Sequence, residues 1–442
     1  MSDQQPINGK TKAKSTRRQF IKAGAIGAAG ALAYASTIQF ATGQVKGAND
    51  RLGVGFIACG GRAGSHFDMV RHLRDQAKEP VELVAACDIY RPRLEKRLKE
   101  FNVPKGYRDY RELLADKNVD VVCIATPEHH HAVQSIAALE AGKHVYCEKP
   151  VTHWTQFELT RRLADAAAAS KCSFQLGSQG MSDPVWGQMK KLVKDGLIGK
   201  PVFGETSLFR LGDWGERGMP VDDPNAKPGP DLDWEAFLGD RPKVAFSVDR
   251  FFRWRLFMDY AGGPSTDVYP HCLTQVVDIL GVGMPEAVVG LGGIHRYDYE
   301  LRDVPDTFNL LAQYPEKVTI SVLGTWANDF NSTDGGRGAG SRMPIIRGWD
   351  GTLNIDRDNR TLVFTPVHTR GAKKRQTFPI EGGEDNIQHW KNLLDCARAG
   401  RKDTNSPMDL AFRTQTVLQM AMLGWQAGKT AKFDAKERKI IL

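Results

Sequence analysis

The chain has 442 residues, too many for one ordinary domain and ample for two, and its 41% hydrophobic and 25% charged content is that of a soluble globular protein. The net charge of +8 does not describe a basic body: residues 1–49 hold seven Lys or Arg against Asp3 alone, so that segment carries +6 and leaves +2 for the rest. A body so near neutrality lacks the basic stripe that phosphate-backbone binding requires, which excludes nucleic acid as an expected partner.

Seven cysteines, at 59, 87, 123, 147, 172, 272 and 396, are odd in number and widely spaced, with no CxxC pair. They read as small buried hydrophobes rather than a zinc or redox site.

Residues 1–49 read as a leader and linker. Thr16-Arg17-Arg18-Gln19-Phe20-Ile21-Lys22 precedes an uncharged stretch, residues 23–45, rich in Ala and Gly. The paired arginines, the Phe, the Lys and the weakly apolar region resemble a twin-arginine signal peptide. That resemblance implies the twin-arginine export machinery as a partner and a periplasmic location, with the leader either cleaved or kept as an anchor. Gly, Ser, Thr and Gln dilute the apolar stretch below the ~20 strongly apolar residues of a permanent span.

Residues 50–176 read as a dinucleotide-binding domain. Apolar runs at 53–59, 82–87, 119–125 and 144–147 alternate with helix-like segments, the pattern of a parallel sheet covered on both faces. The first run ends in Ala58-Cys59-Gly60-Gly61-Arg62-Ala63-Gly64 at a helix entrance, where Gly60, Gly61 and Arg62 would meet a pyrophosphate. Ala58 stands where GxGxxG has its first Gly, and a plain glycine-rich turn describes the segment equally well. Asp88 closes the second strand and can accept hydrogen bonds from the adenosine ribose. It lies 28 residues past Gly60 rather than the usual ~20, which a longer first helix and the loop at Lys78-Glu79-Pro80 would absorb. A carboxylate there repels a 2′-phosphate, so NAD is expected, while Arg91 and Arg93 keep NADP open. His129, His130 and His131 are adjacent at a helix start and point in different directions, so no metal is expected.

The run Gly142-Lys143-His144-Val145-Tyr146-Cys147-Glu148-Lys149-Pro150 is a short strand ending in a charged turn. With the glycine turn, Asp88, the Thr126, Pro127 and His131 segment, and the later Asp267-x-x-x-His271, it resembles the Gfo/Idh/MocA oxidoreductases. The likeness runs from about Arg51 to the C-terminus. It implies a Rossmann domain followed, over residues 177–442, by an α/β domain with a large, open, mostly antiparallel sheet. It also implies that Thr126, Pro127, His131, Glu148 and Lys149 line the cofactor site and that Lys149 is the catalytic lysine. A lysine beside a cationic ring and partly removed from water can serve as acid or base near neutrality. The open sheet face implies a homo-oligomer, dimer or tetramer.

In the second half, Gly177-Ser178-Gln179 opens the domain, and Trp234, Phe251, Phe252, Arg253, Trp254 and Arg255 form an aromatic and basic cluster. Gln179, Trp254 and Arg255 are candidate sugar contacts, since rings stack on C–H faces and Arg donates to hydroxyls. An amphipathic strand that buries its aromatics fits the same residues. Asp267 and His271 are spaced i, i+4 and would share a helix face. Capping Asp and core His are the bland roles. The family pattern implies His271 as proton-transfer partner and Asp267 as its orienter or a hydroxyl acceptor. Asp306 and the Gly-rich run 334–340 resemble family loop positions. Residues 387–399 and 408–427 read as structural amphipathic helices.

These features together imply an NAD(P)-dependent oxidoreductase acting on a secondary alcohol of a sugar or polyol. Export would deny it a free nicotinamide pool, so the cofactor is expected to be held tightly and recycled in place. A glycoside hydrolase or lyase working through transient C3 oxidation is the alternative, although Tyr269-Pro270-His271 lacks the Thr of the Tyr-Pro-Thr-His segment of such glycosidases. A non-catalytic sugar-binding protein is a third reading.

Overall fold

The structure, a computed structural model, describes residues 51–330, 343–356, 358, 360–368, 373–380 and 382–442. The twin-arginine segment and the run 334–340 lie outside the described residues.

The first half alternates β1 (Leu52–Ile57), α1 (Gly61–Asp75), β2 (Val81–Cys87), α2 (Arg91–Phe101), β3 (Lys105–Tyr107), α3 (Tyr110–Ala115), β4 (Val121–Ile124), α4 (Glu128–Glu140), β5 (His144–Cys147), α5 (Phe157–Ala169) and β6 (Phe174–Leu176). The strands form one parallel sheet in the order β3-β2-β1-β4-β5-β6. Side chains of one strand go to opposite faces: Val121 and Cys123 pack with α1, while Val122 and Ile124 pack with α4 and α5. The chain leaves β1 toward one edge and returns at β4 toward the other, so the ends of β1 and β4 flank a crevice.

The second half contributes α6 (Pro184–Lys194), β7 (Pro201–Leu211), α7 (Trp234–Leu238), α8 (Val248–Phe252), α9 (Pro264–Asp267), α10 (Tyr269–Leu280), β8 (Ala287–Gly293), β9 (Thr307–Tyr314), β10 (Val318–Thr325) and β11 (Ala327–Asn328). There follow β12 (Ile345–Gly348), β13 (Gly351–Asp356), β14 (Thr361–Pro366), β15 (Gln376–Pro379), α11 (Asn386–Arg398), α12 (Met408–Ala427), β16 (Ala431–Asp434) and β17 (Lys439–Ile441). Among the described residues these strands make an eleven-stranded sheet, antiparallel except where β7 pairs with β10. Phe308, Leu310, Ala312 and Tyr314 of β9 point inward against α10 and α12, whereas Leu311 and Leu291 stand exposed on the opposite face.

Both C-terminal helices reach back to the first sheet. Trp390, Leu393 and Leu394 of α11 join the core around α1, and Met408, Ala411 and Phe412 of α12 join the core around α5. All seven cysteines are buried and free.

Residues 248–252 form a short helix and 254–256 a single 3₁₀ turn, which corrects the strand alternative for this segment. Ser247 caps Arg250 N at 3.1 Å, and Asp249 pairs with Arg253 at 2.8 Å one turn on, so local polar contacts favour a helix. Its aromatics are buried nonetheless: Phe251 and Phe252 pack with Tyr90, Trp234, Phe237 and Tyr260.

Ala58, in the place of the fingerprint's first glycine, adopts φ +89°, a conformation in which its Cβ is strained. The turn demands this conformation, since Ala58 N donates to Cys87 O at 2.9 Å while Cys59 N turns to Asp88. Ala58→Gly should therefore raise stability by about 1 kcal/mol. Thermal denaturation checks this, and a lowered midpoint would show that the Cβ contributes packing that outweighs the strain.

Candidate active site

Helix α1 starts at Gly61 with Gly60 as N-cap, no capping side chain and no acidic residue in its first turn. Its first N–H groups are thus open to an anion. A Cβ on Gly61 would meet nothing within 4 Å, and one on Gly60 only the Arg93 guanidinium. Space and donors both fit a pyrophosphate. Asp88 Oδ2 accepts from Cys59 N and Oδ1 from Tyr90 N, each at 2.7 Å, so the carboxylate braces the turn and keeps its remaining lone pairs for a ribose.

Glu148 is the buried hub of the site. Its Oε1 accepts from Arg62 Nε at 2.6 Å, from His66 Nε2 at 2.9 Å and from Gln179 Nε2 at 3.1 Å, while Oε2 accepts from Lys149 N at 3.1 Å. The His66 tautomer follows from its other nitrogen, which accepts from Trp390 Nε1 at 2.9 Å and leaves Nε2 to carry the proton. Burial opposes ionisation of Glu148, but Arg62 and His66 outweigh it and hold the carboxyl well below the usual range. Two expectations shift here. The Arg62 side chain is drawn to Glu148, so only its backbone N–H is left to face the helix entrance. Gln179, expected as a sugar contact, is 5% exposed and directs its amide nitrogen to Glu148 and the Tyr146 hydroxyl, so it supports the turn from beneath.

The Thr126-Pro127 segment is fixed by His131, whose Nε2 faces Thr126 O at 2.7 Å and whose Nδ1 faces Pro150 O at 2.6 Å. This imidazole pins the end of β4 to the turn after β5. Burial lowers its pKa despite the two carbonyls. His129 and His130 both turn to Phe237 O, at 2.7 Å each.

Lys149 leaves that turn and meets Asp267 at the end of α9. Its Nζ donates to Asp267 Oδ1 at 2.8 Å and also to the Asp267 carbonyl. Arg255 Nε lies 3.1 Å from the same Oδ1, and its guanidinium stacks 4.3 Å over Trp254. Burial opposes ionisation of Asp267, yet Lys149 and Arg255 prevail and keep it a carboxylate. The expected shared helix face of Asp267 and His271 is corrected: the chain breaks at Val268 (φ −127°), α9 ends and α10 begins, with Pro270 in its first turn. Asp267 therefore turns to Lys149, while half-buried His271 belongs to the next helix.

Two carboxyls were not legible in the sequence. Glu128, 1% exposed, accepts from Thr266 Oγ1 at 3.0 Å, and burial together with Asp267 pushes it up to about 8 against the pull of Lys149 and Arg255. A Glu in the first turn of a helix is ordinary macrodipole chemistry, so nothing marked it. Glu216, between β7 and α7, accepts Arg210 Nη2 at 2.7 and 2.6 Å and Trp326 Nε1 at 3.1 Å, and burial raises it to about 7. Arg210 lies 3.8 Å over Trp326 and 4.5 Å over exposed Trp214. No motif surrounds Glu216; only the fold brings it near Asp267.

Residues 52–178 match the family model described as "Oxidoreductase family, NAD-binding Rossmann fold", GFO_IDH_MocA. The first half thus has the Rossmann fold and is similar in sequence to this NAD-binding family. An inositol 2-dehydrogenase of Salmonella typhimurium is 36% identical over 134 residues, 30% of this chain and 40% of that protein. A glycosyl hydrolase family 109 protein of Shewanella baltica is 28% identical over 225 residues, 45% of this chain and 47% of that protein. Among solved structures, a levoglucosan dehydrogenase in complex with NADH and levoglucosan shares the fold with TM-score 0.65 and 18% identity, over 86% of this chain and 99% of that one. The chain thus spans less than half the length of either curated relative.

The raised Glu128 carboxyl has a consequence for stability. A group whose pKa rises from 4.5 to about 8 on folding contributes most below its unfolded value, and that contribution is lost as pH rises toward 8. Glu128→Gln should remove this loss, ~1.4 kcal/mol per pH unit within the window. Urea denaturation of both proteins at pH 5 and pH 8 checks it; identical pH dependence would contradict the assignment.

Proposed function

We propose that the chain is an NAD-dependent oxidoreductase that acts on a secondary alcohol of a sugar or polyol. The observation that carries this reading is the Lys149–Asp267 pair, set at the crevice end of the Rossmann sheet beside the glycine turn. Gly60, Gly61 and Asp88 would hold the pyrophosphate and ribose, and Thr126, Pro127 and His131 the nicotinamide side. When bound, the nicotinamide accepts and returns the C–H hydride.

The protein's part is positioning and proton handling. As a neutral amine Lys149 has two N–H donors, both engaged by Asp267, and a lone pair left for a substrate hydroxyl; as an ammonium it turns a third N–H toward the same oxygen. In the oxidation direction its amine takes the hydroxyl proton at Nζ, and Asp267 and Arg255 hold the resulting ammonium in place. The same ammonium returns the proton on reduction. His271, on the first turn of α10, is the second proton-handling residue of this reading. Trp254 and Arg255 give the substrate a ring face and a donor.

A redox-neutral cycle is the second reading, favoured by the likeness to a glycosyl hydrolase family 109 protein. Oxidation and re-reduction around a glycosidic cleavage would use the same Lys149. Sugars and polyols assayed for NADH formation, beside aryl glycosides assayed for aglycone release, separate the two. Aglycone release without net NADH would overturn the dehydrogenase reading. In whichever assay is productive, Lys149→Ala should lower kcat by ~10²–10⁴ with NADH binding kept, as measured by fluorescence. Unchanged turnover would remove Lys149 from the chemistry, and no turnover in either assay would favour a binding protein.

We also propose export by the twin-arginine route with the cofactor already loaded, supported by Arg17, Arg18 and the uncharged stretch after them. Changing both arginines to Lys should leave the full chain in the cytoplasmic fraction. Unaltered fractionation would contradict export by this route.

A further inference from the structure

The segment between β7 and α9 crosses to the first domain and attaches just beyond Asp88. Tyr90 and Leu232 form an antiparallel bridge, Arg91 N donates to Asp231 O at 2.8 Å, and Asp233 N donates to Ile89 O at 3.2 Å. Leu232 packs with Tyr90 in the aromatic core. Residues 220–232 therefore lie as a strap along the corner where the adenosine ribose of a dinucleotide would rest.

The strap carries carboxylates to the arginines of that corner. Asp222 Oδ2 pairs with Arg93 Nε at 2.5 Å, and Asp231 Oδ1 with Arg91 Nε at 2.9 Å. Arg93 is further held over the Phe252 ring at 5.1 Å, and its Nη1 lies 3.4 Å from where a Cβ on Gly60 would sit, which puts this guanidinium beside the pyrophosphate turn. The other two arginines of the corner are engaged as well. Arg97 donates to Cys59 O at 3.2 Å, Gly60 O at 3.3 Å and Glu100 at 2.6 Å, and Arg108 donates to Ile89 O at 2.7 Å and Asp231 O at 3.2 Å. A 2′-phosphate arriving beside Asp88 would bring about −1.5 to −2 of charge, by analogy with other phosphate monoesters. It would find every nearby guanidinium engaged, and Asp222, Asp223 and Asp231 adding to the negative field.

We propose that Asp222 is a cofactor-specificity residue: by holding Arg93, whose guanidinium lies beside the glycine turn, it keeps that group from serving a 2′-phosphate, and so selects NAD over NADP. Asp222 is a positioning residue, acting through Arg93 from the far half of the chain. The proposal rests on the NAD-binding reading of the first domain. Asp231 does the same to Arg91 more weakly, because that pair is more exposed, with side chains 49% and 65% accessible.

The test is binding of NADH and NADPH to the full chain stripped of nucleotide, followed by nicotinamide fluorescence. Wild type should bind NADH more tightly. Asp222→Asn should tighten NADPH about tenfold, equivalent to ~1.4 kcal/mol, with NADH little changed. Adding Arg93→Gln to Asp222→Asn should abolish the gain, which a merely structural role of Asp222 would not predict. An unchanged NADPH to NADH ratio in Asp222→Asn, with NADH still bound, would overturn the role of Asp222 and leave the NAD reading intact. A wild type that prefers NADPH would also overturn it. Loss of both nucleotides in wild type and variant alike would overturn the NAD reading and this proposal with it.

Discussion

The site depends on one carboxylate. Glu148 has no exposure to speak of, yet it takes donors from α1, from the turn after β5 and from the residues that follow β6, and through His66 it is coupled to Trp390 of α11. A charge taken this far from water is tolerated only when its oxygens are satisfied by well-placed partners. Each partner is consequently fixed as well. Lys149 lies next to this anchor in the chain, so the reach of its side chain toward Asp267 is set by a largely buried network.

Around that ammonium the protein arranges three carboxyls with different environments. Asp267, in contact with Lys149 and near Arg255, stays ionised, whereas burial raises Glu128, which has no cation in contact, and raises Glu216 against the pull of Arg210. Like charges close together in a low-dielectric site cannot all be ionised. The arrangement leaves one anion paired to one lysine, with the Glu128 carboxyl beside it pushed toward neutrality and Glu216 raised but held by Arg210.

Much of the first half was legible because its signals are local. The alternation of apolar runs, the glycine turn, Asp88 and the Glu148-Lys149-Pro150 turn each sit within a few residues of the element they define. The length of the insertion after α1 was also readable, since α1 runs a full fifteen residues before the loop at Lys78. The second half resisted because its signals are distant. Gln179 looked like a substrate contact until the fold buried it under Glu148, and the arrangement of Asp267 and His271 turned on a helix break at Val268 that spacing alone could not show. Glu128 and Glu216 owe their character wholly to burial, a property of tertiary packing. Arg91 and Arg93 read as open phosphate ligands because their partners, Asp231 and Asp222, lie about 130 residues away in the sequence.

The return of α11 to the first sheet bears on how the protein is made. Trp390 completes the hydrogen bonding of His66, His389 O accepts from Gln175 of β6, and Leu393 and Leu394 seal the core over α1. Domains emerging from the ribosome tend to fold in order, N-terminal part first. Here the cradle built from residues near 60 lacks part of its wall until residue 390 has left the exit tunnel. Cofactor loading is thereby coupled to the end of translation, and a chain truncated before α11 would present an unfinished nucleotide site however complete its strands.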